Sequence, residues 1–389
     1  MKLTAKIKLN PTQEQGDMLH ETLNRVNAAC NVLSSVVWEE QRFKKYDLHE
    51  RCYYAIREQF ELPSQCAVRA ISKTIDAYKT EKTLLAKRNQ KIASKNKTRL
   101  AQNKGEIPLK TLSKINFAKY GAFPLDARLV TYVLDEQKVS IRLLNGRETM
   151  SFQAGDRQLA LLQYQKGESD LVYSRGHFYL CATCDVPVPE EMEVDDFLGV
   201  DLGIVNIATT SDGVIYKGNH VNKVRHRNKS LRKKLQKKGT KSAKRLLKKR
   251  SKKERRFAND VNHCISKQLV LEAKRTSRGI ALEDLKGIRE RVRLRKSQRS
   301  QLHSWSFDDL KRKITYKAAL YGVPLRLVDP RNTSRMCPEC GHIDKQNRKT
   351  QACFECQACG FSAHADLVGA TNIGRRAVSI NTPYAASAL

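Results

Sequence analysis

The period of hydrophobic and polar positions changes along the chain and divides it into three parts. Residues 2–9 alternate like an amphipathic strand, and apolar residues at helical spacing follow from about residue 14 to residue 41. Two further helices are predicted over about 49–60 and 62–80. The basic segment 81–104 is interpreted as a solvated helix in preference to a flexible arm.

From residue 115 the period becomes two, which predicts a β-sheet. The candidate strands are Leu129–Leu134, Lys138–Leu143, Thr149–Phe152, Asp170–Tyr173 and Phe178–Val186. The N-terminal strand suits this sheet as a missing member, so we expect a β-domain that is interrupted by a helical insertion. A segment with two prolines and a run of acids, 187–196, is a linker to the next domain.

Residues 197–389 read as buried strands separated by helices. Strands are predicted around 197–210, 278–285 and 323–330, and helices over 257–273 and 305–321. This pattern is typical of an α/β domain.

A strongly basic run lies within the third part. Residues 223–256 carry 19 Lys or Arg against one acid, Glu254. Leucines recur there at spacings that a helix can use, which favours a long basic helix or helical hairpin over a merely solvated face or a disordered segment. Such an element would lie along a nucleic-acid backbone.

Composition agrees with that interpretation. Lys and Arg number 73 against 40 Asp and Glu, a formal net charge of +33, and a polyanion such as RNA or DNA is the natural partner. No apolar run approaches the roughly 20 residues that span a bilayer, and the N-terminus has no secretory signal pattern. We therefore expect no membrane partner and a reducing compartment, where paired cysteines indicate metal binding and not disulfides.

Two cysteine pairs predict a structural Zn²⁺ site. Cys337 and Cys340 form one C-x2-C knuckle, Cys356 and Cys359 form the other, and each knuckle is followed by glycine. This spacing is typical of a tetrahedral four-cysteine ribbon. Cys353 also forms a C-x2-C pair with Cys356, but no glycine follows that pair in the same way, so Cys353 is left out.

A second pair, Cys181 and Cys184, lies in a predicted strand. Residues i and i+3 of a strand point to opposite faces, so this pair is interpreted as packing.

Three acids stand out by their context. Asp201 ends an apolar strand in FLGVDLG, Glu283 ends a second one in GIALEDL, and Asp366 stands at a helix start. Each alone is as well explained by a cap or a turn, but strand ends that converge three carboxylates make a site for hard cations. Two Mg²⁺ ions about 4 Å apart would support phosphodiester hydrolysis, as in RNase H-like nucleases.

The chain resembles the TnpB family, insertion-sequence proteins related to compact type V CRISPR effectors. The resemblance covers nearly the whole chain, and its motifs follow in the family's order. They are GVDLGIVN (199–206), ALEDLKGIR (281–289), WSFDDLKRKITYKAALYG (305–322), TSRMCPECG (333–341), FECQACG (354–360) and ADLVGATNI (365–373).

The resemblance implies an RNA-guided DNA endonuclease with a RuvC-like, RNase H-like domain. Its implied partners are a transposon-derived guide RNA and target double-stranded DNA next to a short target-adjacent motif, with one protein chain per RNA, in the cytoplasm of a prokaryotic cell at the nucleoid. The implied catalytic acids, which also bind Mg²⁺, are Asp201, Glu283 and Asp366. The implied Zn²⁺ ligands are Cys337, Cys340, Cys356 and Cys359. The candidate phosphate-binding residues are Lys233, Lys234, Lys237, Lys238, Arg245, Lys248, Lys249 and Arg250.

The implied architecture is α/β with β-barrel and helical parts. Its domains are a wedge β-barrel (1–10 and 115–190), a helical recognition domain (11–114), and a RuvC-like domain (195–389) with a basic helical segment (222–256) and an inserted zinc ribbon (333–362).

The last motif departs from the family pattern D-x-N-A-A-x-N-I. Val368 replaces its first Asn and Gly369 its first Ala, while Asn372 and Ile373 remain. All three acids are present, so we expect an altered rate and not an inactive protein. An RNA-guided repressor without cleavage and an accessory DNA-binding protein of a conventional transposase remain the alternatives.

Overall fold

The computed structural model describes residues 1–250, 253–285, 307–350 and 352–381. The chain divides into two units, Met1–Val186 and Pro187–Leu389. Each unit is built around a sheet of its own. Among the described residues, no helix is long and apolar enough to cross a membrane.

The first unit contains a seven-stranded antiparallel sheet with the order β2-β6-β7-β1-β5-β4-β3. Its strands are β1 (Lys2–Asn10), β2 (Phe123–Leu125), β3 (Val130–Val133), β4 (Lys138–Leu143), β5 (Gly146–Gln153), β6 (Gln165–Ser174) and β7 (His177–Asp185). The N-terminal strand pairs with β5 and β7, so its predicted place in this sheet is confirmed.

The two ends of this sheet approach each other. The Tyr132 hydroxyl on the edge strand β3 lies 2.9 Å from the Ser169 hydroxyl on β6, next to the opposite edge. The inner face is apolar because alternate residues of each strand point inward, for example Ala5, Ile7 and Leu9 of β1. The sheet is therefore nearly closed.

Helices follow β1 and precede β2 in the chain. They are α1 (Gln13–Glu40), α2 (Lys45–Gln59) and α3 (Ser64–Leu100), and a short α4 (Asp156–Leu162) follows β5. A capping box of Thr12 and Gln15 begins α1. Helix α3 covers most of the predicted helix 62–80 and residues 81–100 of the basic segment 81–104, which confirms the helical interpretation for that part of the segment.

After α3 ends, the chain runs back alongside this helix as an extended segment that includes Ile107 and Lys110. Asn89 and Asn96 of α3 each pair through their amides with the backbone N–H and C=O of one residue, Lys110 and Ile107 respectively. These side chains replace a neighbouring strand, which satisfies the backbone of a segment without regular structure.

The second unit contains a five-stranded sheet with the order β10-β9-β8-β11-β12. Its strands are β8 (Phe197–Asp201), β9 (Asn206–Thr210), β10 (Ile215–Lys217), β11 (Gly279–Glu283) and β12 (Leu325–Val328). β9 is antiparallel to its neighbours, whereas β8, β11 and β12 are parallel. This is the strand order of an RNase H-like sheet.

Helices lie on both sides of this sheet. The helices of this unit are α5 (Asn219–Lys238), α6 (Lys241–Arg250), α7 (Lys253–Arg275), α8 (Phe307–Leu320) and α9 (Ala365–Asn381). Apolar residues of α7 and α8 pack on one face of β8 and β11, and α9 packs on the other. The predicted start of α8 at Trp305 lies outside the described residues. A small hairpin of β13 (Cys353–Glu355) and β14 (Ser362–His364) precedes α9.

Candidate active site and metal centre

Asp201 and Glu283 lie at the carboxyl ends of neighbouring parallel strands. β8 and β11 are paired in register up to Val200 opposite Leu282, and the next residue of each strand is the acid. Opposite residues of paired strands point to the same face of a sheet. Strand pairing therefore brings these two carboxylates together.

Asp366 reaches the same sheet edge because α9 lies unusually close to β8. A Cβ on Gly199 would be 1.9 Å from the Ala370 carbonyl oxygen, and one on Gly374 would be 2.8 Å from the Phe197 carbonyl oxygen. Only residues without a side chain allow this approach. Asp366 lies in the first turn of α9, where the helix dipole favours a negative charge.

Each acid has neighbours that fix or neutralise it. The Asn206 side-chain amide donates to Asp366 Oδ2 over 2.8 Å, and the Thr333 hydroxyl donates to Glu283 Oε1 over 2.5 Å. The Arg348 guanidinium lies 4.0 Å from Asp366 Oδ1.

These three neighbours were not identified from the sequence. Asn206 and Thr333 stand at the ends of motifs quoted above, which was the available signal, whereas Arg348 is one of many arginines. Arg348 also interacts favourably with the other two acids. It lies between the two cysteine knuckles, so the ribbon places a positive charge among the three acids.

Burial and mutual repulsion act on the acids in the absence of a cation. Burial, together with the negative charges of Glu283 and Asp366, raises the pKa of Asp201 to about 7. Burial also raises the pKa of Glu283, although the Thr333 hydrogen bond opposes this shift. A hard divalent cation such as Mg²⁺ fits this set of oxygen donors, because it would offset both desolvation and repulsion.

The four predicted cysteines converge on one point of the ribbon. Their sulfur atoms all lie within 4.8 Å of one another. The Sγ atoms of Cys337 and Cys359 are 3.6 Å apart, and those of Cys340 and Cys356 are 3.5 Å apart. A tetrahedral Zn²⁺ with bonds of about 2.3 Å separates its sulfur ligands by about 3.8 Å. The cluster therefore fits one zinc ion, whereas the three carboxylates do not form so tight a group in the described part of the chain.

The two knuckles have the same backbone design. Gly341 and Gly360 both adopt a φ of +74°, and each N–H donates to the carbonyl of the first cysteine in its knuckle, Cys337 or Cys356. This left-handed conformation explains why glycine follows each pair. The Cys359 N–H, donating to the Cys356 sulfur, contributes most to lowering the pKa of Cys356 to about 6, which favours the thiolate that binds a metal.

The remaining cysteine pairs lie elsewhere. Cys353 is exposed at the start of β13 and is not part of the four-cysteine group. Cys181 and Cys184 lie in β7, where Cys184 is buried and Cys181 is on the other face. The interpretation of this pair as strand packing agrees with the structure.

Helix α9 holds the ribbon as well as Asp366. Val368 is 1% exposed in a small core with two zinc-site cysteines and Phe354. The Asn372 amide, also buried, donates to the carbonyl oxygens of Thr333 and Met336. The ribbon and the acid-bearing helix therefore share one packed interface.

This interface also explains the departures from the family motif. Val368 fills an apolar site, and Asp366 receives its amide hydrogen bond from Asn206 on another element. Gly369 lies beside the first acid: a Cβ at this position would be 3.2 Å from Asp201 Oδ2.

The basic run forms a helical hairpin. Gly239, in a left-handed conformation, ends α5, and Thr240 accepts a hydrogen bond from the Ala243 N–H at the start of α6. All the candidate phosphate-binding residues except Arg250 are exposed. Arg250 is half-buried and donates to the Asn228 side chain, so it is already engaged within the hairpin.

The sheet order and the inserted four-cysteine ribbon define the class of the second unit: a RuvC-like domain of the kind found in compact type V effectors. The family described as Cas12f1-like, TNB domain matches residues 307–373, and the family OrfB_IS605, described as a probable transposase, matches residues 180–287. These matches agree with the resemblance to the TnpB family that the sequence motifs indicate.

Curated relatives match much of the chain. The CRISPR-associated endodeoxyribonuclease Cas12f1 of Sulfoacidibacillus thermotolerans is 26% identical over 93% of this chain and 93% of its own length. The TnpB-like protein MJ0751 of Methanocaldococcus jannaschii is 34% identical over 46% of this chain and 63% of its own length. InsQ of Escherichia coli K12, described as a putative RNA-guided DNA endonuclease, is 26% identical over 50% and 54%.

Solved structures share the fold. A Cas12f1 complex with sgRNA and target DNA matches 93% of this chain and 83% of its own, at 14% identity and a TM-score of 0.57. CasPhi-2 bound to crRNA matches 96% of this chain and 97% of its own, at 11% identity and a TM-score of 0.60. The fold of this chain is therefore that of compact type V effectors.

Proposed function

We propose that the protein is an RNA-guided DNA endonuclease that hydrolyses phosphodiester bonds of target double-stranded DNA. The observation that carries the proposal is the gathering of Asp201, Glu283 and Asp366 at one sheet edge, in a chain related to Cas12f1 over 93% of its length. A repressor that only binds DNA does not need three acids whose charges oppose each other.

In this proposal the three acids hold two catalytic Mg²⁺ ions. Bound Mg²⁺ would activate the attacking water and stabilise the leaving oxygen. Asn206 fixes the orientation of Asp366, Thr333 fixes that of Glu283, and the Arg348 guanidinium, 4.0 Å from Asp366 Oδ1, places a positive charge beside the acids. One Zn²⁺, bound by the four ribbon cysteines, is structural, because all four ligands come from the protein.

The proposed partners, location and domains follow from the resemblance to the TnpB family. The partners are a transposon-derived guide RNA and DNA next to a short target-adjacent motif, with one protein chain per RNA, in the prokaryotic cytoplasm at the nucleoid. The exposed lysines and arginines of α5 and α6 supply phosphate contacts. The proposed domains are the wedge β-barrel (1–10, 115–190), the recognition domain (11–114) and the RuvC-like domain (195–389).

The test is cleavage by protein that is co-expressed with its flanking element sequence. RNA should co-purify with the protein, and the complex should cut a matched DNA target when Mg²⁺ is added. Asp201→Ala should lower the rate of DNA cutting by at least about 1,000-fold, because the metal site loses a ligand. RNA binding should persist. Cutting that survives this substitution contradicts the assignment of the site, and guide-dependent binding without cutting by the wild type favours the repressor.

A further inference from the structure

Thr333 makes a short contact with one of the three acids. Its hydroxyl oxygen is 2.5 Å from Glu283 Oε1 and 3.1 Å from the Pro330 carbonyl oxygen, and the residue is 3% exposed. A hydroxyl has one proton to donate, and the nearer acceptor is a carboxylate. Since O–H to carboxylate hydrogen bonds of about 2.5–2.7 Å are the strong, charge-assisted kind, the Thr333 hydroxyl donates its hydrogen bond to Glu283 and not to Pro330.

The position of Thr333 is itself fixed from the opposite side. The fully buried Asn372 amide donates to the Thr333 carbonyl oxygen over 2.8 Å and to that of Met336 over 2.7 Å. Asn372 lies on α9, the helix that carries Asp366. The backbone of Thr333 is thus tied to the element of one acid, and its side chain holds another.

We propose that Thr333 is a positioning residue for metal binding. Its hydroxyl engages one carboxylate oxygen of Glu283 and leaves the other for the divalent cation. The proposal rests on the proposed function, since it assigns to Thr333 a part in the same metal site. Threonine suits this role because its β-branched side chain has few rotamers.

The variant that tests this role is Thr333→Val, which has nearly the same shape but no hydroxyl. Thr333→Ser restores the hydroxyl and should restore function. Thr350→Val is the matched control: Thr350 lies in the same ribbon, but its hydroxyl accepts hydrogen bonds from the backbone N–H groups of Ala352 and Cys353. The loss of a group that orients a metal ligand typically lowers metal affinity or activity about 10- to 100-fold.

Two measurements are needed on each RNA-bound protein. Mn²⁺ affinity is measured by electron paramagnetic resonance titration, and kcat and KM are measured for a matched DNA target. Thr333→Val should weaken Mn²⁺ binding about 10-fold and lower kcat about 10- to 100-fold, with KM and zinc content unchanged. Thr333→Ser and Thr350→Val should stay within about threefold of wild type.

The outcomes separate this role from the proposed function. A wild type that binds Mn²⁺ and cuts DNA while Thr333→Val behaves identically overturns the role of Thr333 alone. An equal loss in Thr333→Val and Thr350→Val, or loss of zinc, assigns Thr333 to ribbon folding and also overturns it. A wild type that neither binds Mn²⁺ nor cuts overturns the proposed function, and this role with it.

Discussion

The cysteine cluster and the carboxylate site lie close in the second unit but are built in opposite ways. The four cysteines come from two knuckles of one short ribbon, and tight glycine turns hold their sulfur atoms together. The three acids come from two strands and a distant helix, and packing brings them together. A backbone hydrogen bond lowers the pKa of Cys356 to about 6 and favours the thiolate that binds a metal, whereas gathering carboxylates raises the pKa of Asp201 and so opposes their ionisation.

The two sites are nevertheless linked. The ribbon supplies Arg348 and Thr333 to the acids, and it packs on the helix that carries Asp366. Disruption of the zinc ribbon should therefore also impair the carboxylate site.

Among changes that test the link between the two sites, the largest expected effect comes from removing a cysteine of the cluster. Cys356→Ser should abolish zinc binding and lower DNA cutting by more than about 100-fold, because the ribbon then no longer supports Thr333 and Arg348. Inductively coupled plasma mass spectrometry measures the zinc content per chain, and a cleavage assay measures the rate of DNA cutting. Cys353→Ser is the control and should keep both zinc and activity. If instead the control loses zinc, the ligand assignment is wrong.

A smaller effect concerns pH and the acid site alone. The folded pKa of Asp201, about 7, lies above its ordinary value of 3.8. Asp201 holds its proton more tightly in the folded than in the unfolded protein. It therefore contributes stability below about pH 4, and this contribution is lost as the pH rises through 7. Without divalent cations, the free energy of unfolding should fall over this range by up to roughly 4 kcal/mol, and Asp201→Asn should remove most of this fall.

Urea unfolding at pH 5 and pH 8 measures most of this difference, roughly 3 kcal/mol. Saturating Mg²⁺ should restore the stability of the wild type at pH 8 but have much less effect on Asp201→Asn. If the free energy of unfolding depends on pH in the same way for the wild type and Asp201→Asn, then the surroundings of Asp201 do not raise its pKa.

The smallest expected effect lies at the boundary between the two sites. Val368→Asn restores the family residue but places an amide in an apolar core, which should lower the free energy of unfolding by about 1–3 kcal/mol. Cutting should change less than about threefold, because Asn206 already bonds Asp366.

Asn206→Ala is the matched comparison and should do the reverse. It should lower the cutting rate about 10-fold or more with little loss of stability. A gain in activity for Val368→Asn would show that residue 368 reaches the acid after all.

The local pattern of hydrophobic and polar residues was sufficient to predict most of the helices and strands. Most strands of the two sheets and the long helices agree with the predicted elements within a few residues, because one face of each element is buried. The short strands β2 and β10, the ribbon strands β13 and β14, and the short helix α4 were not predicted. Strands of three residues contain too few positions to show a period, and a helix of seven residues covers less than two full turns.

The sequence by itself determined the cysteine cluster, since its ligands follow from spacing and glycine turns, and it singled out the three acids by their strand and helix contexts. Only the tertiary structure decided which groups orient those acids. Asn206, Thr333, Arg348 and Asn372 act across contacts between residues far apart in sequence. The physical reason is that a hydrogen bond to a buried carboxylate depends on where packing places a side chain, and no local pattern records that position.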